Sequence, residues 1–376
     1  MSGRPPEILI VVGTRPEAVK TAPVALLLRR DRRFRVKLLA TGQHREILSG
    51  ALASFGLRAD RELRVMRARR TPNDVLAAVV GGVDAELSRR PPDLVLVQGD
   101  TTSALAAALA AFHRGVPVAH LEAGLRTDDI ANPFPEELNR ATIDLLAEIL
   151  LAPTPRAGRR LLREGADSRK IYVTGNTVVD ALQLALKRPI GNGPRVLAGI
   201  PEDRPVAVVT LHRRESHGKI LRGLAAALAR ASARRPDVLW IVPAHPHPAA
   251  HAPLAALPRE RFRMVPPLDY PDFIRLLSRA SFAATDSGGL QEEATALGLR
   301  YLVLRRTTER PEGLGRWGIL VGVEPTAVER ALVRAADRRK KPPKGGAFGD
   351  GQASRRVAAA LAHWAGLGPR PRAFSG

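Results

Sequence analysis

The sequence contains no cysteine. Disulfides, thiolate metal sites and cysteine nucleophiles are thereby excluded, and the absence suits a cytoplasmic protein. Aromatic residues are scarce, at 4% of the chain. That is too few for the stacking platforms on which single-stranded nucleic acids lie. No apolar run approaches the roughly 20 residues of a membrane-spanning helix. The first apolar stretch, Ile8 to Val12, is too short and too early for a secretory leader and runs straight into Gly13. A soluble, cytoplasmic protein with no membrane partner is expected. Lysine is also rare: only eight of the 59 basic residues are Lys, and the arginines are scattered along the whole chain. The net charge of +22 therefore reads as compositional bias rather than as a nucleic-acid-binding face, and no nucleic-acid partner is expected. Such a surplus would still draw a polyanionic small molecule.

What is present is a chain of 376 residues, too long for one core and of a size that usually makes two domains. Short apolar runs alternate with amphipathic stretches. In the first half the runs are Ile8–Val12, Val36–Ala40, Leu94–Val97, Val116–Ala119 and Ile149–Ala152. Each is apolar throughout, as strands buried on both faces must be. Helical patterns such as Ala18–Arg29, Pro72–Ser88 and Thr102–Phe112 lie between them. A second series begins near Ile171 and continues through Val206–Leu211, Val238–Val242, Phe262–Val265, Phe282–Thr285, Tyr301–Leu304 and Ile319–Val321. The alternation predicts α/β architecture, with two Rossmann-like, doubly wound parallel sheets facing a cleft. The expected division is residues 1–170 for the first domain and 171–352 for the second. A last helix spans Gln352 to Ala365, and 369–376 is expected to be a disordered tail.

In doubly wound sheets, ligands bind beyond the carboxyl ends of the strands. The polar residues there are the functional candidates. Gly13-Thr14-Arg15-Pro16-Glu17 follows the first strand, with Lys20 one helical turn on; Arg15 can grip a phosphate by two bonds. Gln98-Gly99-Asp100-Thr101 follows the third clear strand; Asp100 is either a catalytic acid or, with Thr101, a helix cap. His120 to Arg140 reads as a strand end, a long loop and a helix start near Glu136, because Asn132-Pro133 and Pro135 forbid a regular helix earlier. That loop holds Glu122, Arg126, Asp128, Asp129 and Glu136, suited either to proton transfer or to a solvated, capped helix entry. In the second half His212-Arg213-Arg214-Glu215 closes a strand. Ser287-Gly288-Gly289 opens a helix, with Glu293 placed to hold ribose hydroxyls.

These motifs, in this order, resemble the non-hydrolysing UDP-N-acetylglucosamine 2-epimerases. The matching pieces are GTRPEAVKTAPV, TGQHREIL, VQGDTTS, LEAGLRT, PFPEELNR, GNTVVDAL, LHRRES, TDSGGLQEEA and RTTERPEG, from about Ile8 to Gly322. The resemblance implies a GT-B-like pair of domains with a deep cleft, a C-terminal helix crossing back so that 353–368 joins the first domain, a homodimer, and a reaction that needs neither metal nor other cofactor. It implies a UDP-sugar substrate inverted at C2: UDP is eliminated to give a 2-acetamidoglucal and re-added after proton delivery to the opposite face. Asp100, Glu122 and Glu136 would be the acid–base carboxylates, and His212, near the diphosphate and sugar, would be a fourth catalytic residue that assists departure. Arg15, Ser287, Gly288 and Gly289 would hold the diphosphate, with Lys20, Arg213 and Arg310 among the substrate contacts. Glu293 would take the ribose, and Phe273 would pack near the uracil.

The chain also departs from the family pattern. A Gln-His-x-x-Met signature tied to an allosteric second nucleotide sugar reads Gln43-His44-Arg45-Glu46-Ile47 here, and the turn after Val242 reads His245-Pro246-His247-Pro248. Gln43, His44 and His245 are thus allosteric candidates in an altered setting. Alternative functions are the same chemistry on a related UDP-2-acetamido sugar, hydrolysis releasing N-acetylmannosamine and UDP, or glycosyl transfer on a GT-B fold.

Overall fold

The computed structural model describes residues 4–42, 45–63, 71–188, 199–200, 204–213, 216–244, 248–337 and 342–376. The chain divides into two compact units. Unit 1 comprises residues up to Leu184 together with 349–376, and unit 2 runs from Ala185 to Phe348.

In unit 1 the elements are β1 (Glu7–Val12), α1 (Arg15–Arg30), β2 (Arg35–Ala40), α2 (Arg45–Ala53), β3 (Arg61–Glu62), α3 (Pro72–Arg89), β4 (Leu94–Gln98), α4 (Thr102–His113), β5 (Val118–Leu121), α5 (Glu136–Leu146), β6 (Ile149–Ala152), α6 (Pro155–Arg163), β7 (Ile171–Val173) and α7 (Thr177–Lys187), whose last residues fall in unit 2. The strands form one parallel sheet in the order β3-β2-β1-β4-β5-β6-β7. β1 and β4 are buried at every position, because helices cover both faces of such a sheet. Leu9, Val11, Val95, Val97 and Leu150 meet Val79, Val83, Ala107 and Ile143 from α3, α4 and α5 in one core.

Unit 2 contains β8 (Val206–Thr210), α8 (Lys219–Arg234), β9 (Leu239–Pro243), α9 (Pro248–Ala255), β10 (Phe262–Val265), α10 (Tyr270–Arg279), β11 (Phe282–Thr285), α11 (Gly288–Leu297), β12 (Arg300–Val303), β13 (Gly318–Leu320) and α12 (Pro325–Asp337). Its strands form a parallel sheet in the order β10-β9-β8-β11-β12-β13. Trp240 is fully buried between Phe262 and Phe282, with ring centroids 5.7 Å away on either side. The last helix, α13 (Ala353–Trp364), packs against α1 and so belongs to unit 1. Asp180 of α7 caps it, accepting the amides of Ala353 at 3.2 Å and Ser354 at 2.8 Å.

Two expectations about the domains are corrected. Ile171–Val173 does not open the second domain; it pairs with β6 as the seventh strand of the first sheet. The run is apolar, and β6 without it would be an unpaired edge. Nor is 369–376 a disordered tail. The Phe374 amide donates to the Val173 carbonyl at 2.8 Å, and its ring is 6% exposed. The Arg370 guanidinium stacks 4.3 Å over the Tyr172 ring and donates to the carbonyls of Ser168 and Arg169. These two side chains anchor a segment whose Pro, Gly and Arg content reads as disorder.

Candidate active site

The order of the first sheet reverses between β1 and β4, the kind of crevice in which open α/β sheets hold ligands. The β4 chain turns at Gly99, with φ of 73°, and presents Asp100. Arg140 pairs with the Asp100 carboxylate, and Asn139 Nδ2 donates to its carbonyl at 2.8 Å. Thr101, not Asp100, caps α4, by accepting the Ala104 amide at 3.1 Å. Glu136 is the first residue of α5. It lies four residues before Arg140, on the same side of the helix.

Glu122 immediately follows β5, at a φ of 79° that L side chains rarely adopt. Its side chain is almost fully buried and satisfied on both oxygens: Lys20 and Asn176 approach Oε1, the latter at 2.9 Å, and Gln98 donates to Oε2. Gly175 and Thr177 line the same recess. Lys20, expected beside Arg15 as an anion contact, is therefore the counter-ion of Glu122, whereas Arg15 is exposed. Behind Glu122, the buried His120 ring lies 2.6 Å from Asp144 and 2.8 Å from the Gly99 carbonyl. Burial alone would raise the Asp144 pKa, but His120 and Arg126 together hold it below the ordinary value. Arg126 is committed to Asp144 and Glu164, and Asp128 to Arg160. These loop charges build the scaffold rather than the reacting surface.

Unit 2 repeats the arrangement at the reversal between β8 and β11. Asp286, fully buried after β11, accepts the His212 and Arg213 amides, each at 2.9 Å. Its Oδ1 lies 3.5 Å from the His212 ring. Ser287 is the N-cap residue of α11, yet its hydroxyl makes no capping bond. A Cβ on Gly288 would stand 2.7 Å from Arg310 Cζ and 3.0 Å from Glu309 Oε1, so the glycine lets the helix start lie close against that guanidinium, and a larger side chain would displace its tip. Arg310 pairs with Glu292 and Glu309; Glu309 also lies 3.1 Å from Arg305 and 3.5 Å from Arg213. Three guanidinium groups thus gather beside a helix N-terminus, a setting that suits phosphate. Gly289 and the nearly buried Glu293 lie on the same helix, and Phe273 is half-exposed in the first turn of α10.

Of the expected residues, Asp100 and Glu122 stand at the ends of the neighbouring strands β4 and β5, and Glu136 opens α5, the helix whose Arg140 pairs with Asp100. His212, Arg213, Ser287 and Arg310 come together in unit 2. The sequence reading missed Gln98, Asn176, Glu17 and Asp286, the side chains that hold these groups; all four stand inside the quoted motifs, where nothing local marks their partners. Gln43, His44 and His245 lie outside the described residues, as do Arg214 and Glu215. Among the described residues no helix is long and apolar enough to cross a membrane.

A family model described as UDP-N-acetylglucosamine 2-epimerase matches residues 26–362. A UDP-N-acetylglucosamine 2-epimerase of Yersinia pestis is 37% identical over 94% of this chain and 98% of its own. The crystal structure of UDP-GlcNAc 2-epimerase from Neisseria meningitidis, bound to UDP-GlcNAc, superposes with a TM-score of 0.90 at 34% identity over 95% of this chain and all of that one. An S. aureus structure solved with UDP gives 0.92 at 32% identity, over 98% and 100% of the two chains. With motifs, fold and full-length similarity in agreement, the chain belongs to the UDP-N-acetylglucosamine 2-epimerase family.

Proposed function

We propose that the protein interconverts UDP-N-acetylglucosamine and UDP-N-acetylmannosamine in the cytoplasm, by eliminating UDP to a 2-acetamidoglucal and re-adding it. The observation that carries this reading is Asp100 and Glu122 at adjoining strand ends, each held by a cation, with Glu136 at the start of the helix that carries Arg140. A C2 proton is hard to remove, and inversion needs acid–base groups able to serve both faces of the ring. Departure of a diphosphate needs preorganised positive charge. Arg213 and Arg310 beside Gly288 and Gly289 suit that role, with Ser287 and Arg15 as further contacts and His212 assisting departure. Glu293 takes the ribose and Phe273 packs near the uracil. The Neisseria relative's bound UDP-GlcNAc supports the substrate. The homodimer reading draws support from large apolar side chains left exposed on α4 and α5: Phe112, Leu138 and Leu145, the last at 86%.

Incubation with UDP-N-acetylglucosamine in heavy water, followed by proton NMR, tests the chemistry. Deuterium at C2 of intact UDP-sugar is the expected result. Free N-acetylmannosamine with UDP would instead identify a hydrolase, and no exchange in any UDP-2-acetamido sugar would refute both. Light scattering tests the dimer.

A further inference from the structure

Where the order of the first sheet reverses, the loops leaving β1 and β4 run to opposite faces of the sheet. Chain connectivity does not hold them together. Glu17 spans the gap. Its Oε2 accepts the amides of Gly13 and Thr14, the latter at 3.2 Å, and its Oε1 accepts the Thr101 hydroxyl at 2.5 Å. The side chain is 1% exposed, although it sits in the first turn of α1 beside exposed Arg15 and Pro16. Thr14 adjoins Arg15, and Thr101 adjoins Asp100. One carboxyl group therefore ties the anion-gripping turn to the acid–base loop. A Cβ on Gly13 would stand 2.7 Å from the Ser103 Cβ, so the turn after β1 packs directly against the first turn of α4.

We propose that Glu17 is a positioning residue for the epimerisation, fixing Arg15 on the departing diphosphate relative to Asp100 at the sugar. The inference rests on the function proposed above. Neither Arg15 nor Asp100 needs Glu17 in order to exist as a charge. What Glu17 supplies is their separation, and errors of about an ångström in such a separation cost on the order of 100-fold in rate. UDP alone asks nothing of Asp100, so its affinity should not register the loss. The neutral form of the carboxyl is accessible, since burial pushes its pKa up to about 7. An amide in its place can accept from Gly13 and Thr14 and donate to Thr101.

The test compares Glu17→Ala, Glu17→Gln, Thr101→Val and Thr101→Ser for kcat, for UDP affinity by calorimetry and for thermal stability. Glu17→Ala and Thr101→Val are expected to lower kcat tenfold or more with UDP affinity within threefold of wild type. Glu17→Gln and Thr101→Ser should recover most of the loss. If Glu17→Ala fails to fold, Thr101→Val decides, because it leaves the bonds of Glu17 to Gly13 and Thr14 in place; its loss of the α4 cap is read separately, from its thermal stability. A kcat for Thr101→Val within twofold of wild type, or a parallel fall of kcat and UDP affinity in that variant, overturns the proposal. Absence of wild-type turnover in the same assay would instead refute the epimerase reading, and this inference with it.

Discussion

Burying a carboxylate is costly unless partners replace its water. At Glu122 those partners are Lys20, Gln98 and Asn176, and they also hold a left-handed backbone that costs roughly 1–3 kcal/mol. The side chain is thus fixed in place, as the proposed acid–base role requires. Glu122→Gln and Asp100→Asn are each expected to lower turnover about 100- to 10,000-fold while UDP affinity, by calorimetry, changes little. Collapse of UDP affinity would show that the assigned roles are wrong. Lys20→Met strands a buried charge and should destabilise the protein by about 3–5 kcal/mol in urea unfolding, with UDP affinity again nearly intact. Glu17 adds a dependence on pH. Its pKa rises on folding from 4.5 to about 7, chiefly through burial against the opposing hydrogen bonds from Thr101 and from the Gly13 and Thr14 amides. An acid raised on folding contributes stability that is present below pH 4.5 and lost as pH climbs through 7. The contribution is of order 3 kcal/mol. Thermal melts from pH 5 to 8 should therefore show wild type losing stability relative to Glu17→Gln. A constant difference between the two would contradict this.

Helices and strands carry these residues to their places, and most were visible in the sequence because burial on both faces leaves uninterrupted apolar runs. β6 and β10 fall where the pattern put them. β5 does not: it runs from Val118 to Leu121 rather than from Val116 to Ala119, because its ladder to β4 pairs Val118 with Val95 and Leu121 with Gln98. The polar His120 inside the strand hid that register. The shift matters, since it places Glu122 directly at the strand's end. Likewise α1 starts at Arg15 rather than Ala18. Proline is tolerated in a helix's first turn, but Arg-Pro-Glu lacks the apolar spacing that would reveal one. At the entry to α11, a side chain on Gly288 would displace the tip of Arg310. Gly288→Val is expected to weaken UDP binding at least tenfold in titration calorimetry while leaving the circular dichroism spectrum unchanged.

At the scale of the whole chain, the tail completes unit 1. Phe374 closes over the edge strand β7, and Arg356 stacks 5.5 Å from its ring. Phe374→Ala should cost about 3 kcal/mol, seen as earlier urea unfolding with kcat at 25 °C nearly unchanged. A variant as stable as wild type would mean that the tail contributes nothing. Composition and periodicity alone determined that there are two α/β units, where nearly every strand lies and which charged residues stand at strand ends, since these are properties of short segments facing a core. Only the tertiary structure decided that β7 joins the first sheet and the tail docks against it, that Lys20 answers Glu122 across 102 positions of sequence, and that Glu17 and Asp286 lash neighbouring loops together. Such pairings follow from strand order, which brings distant segments side by side and leaves no local mark on either partner.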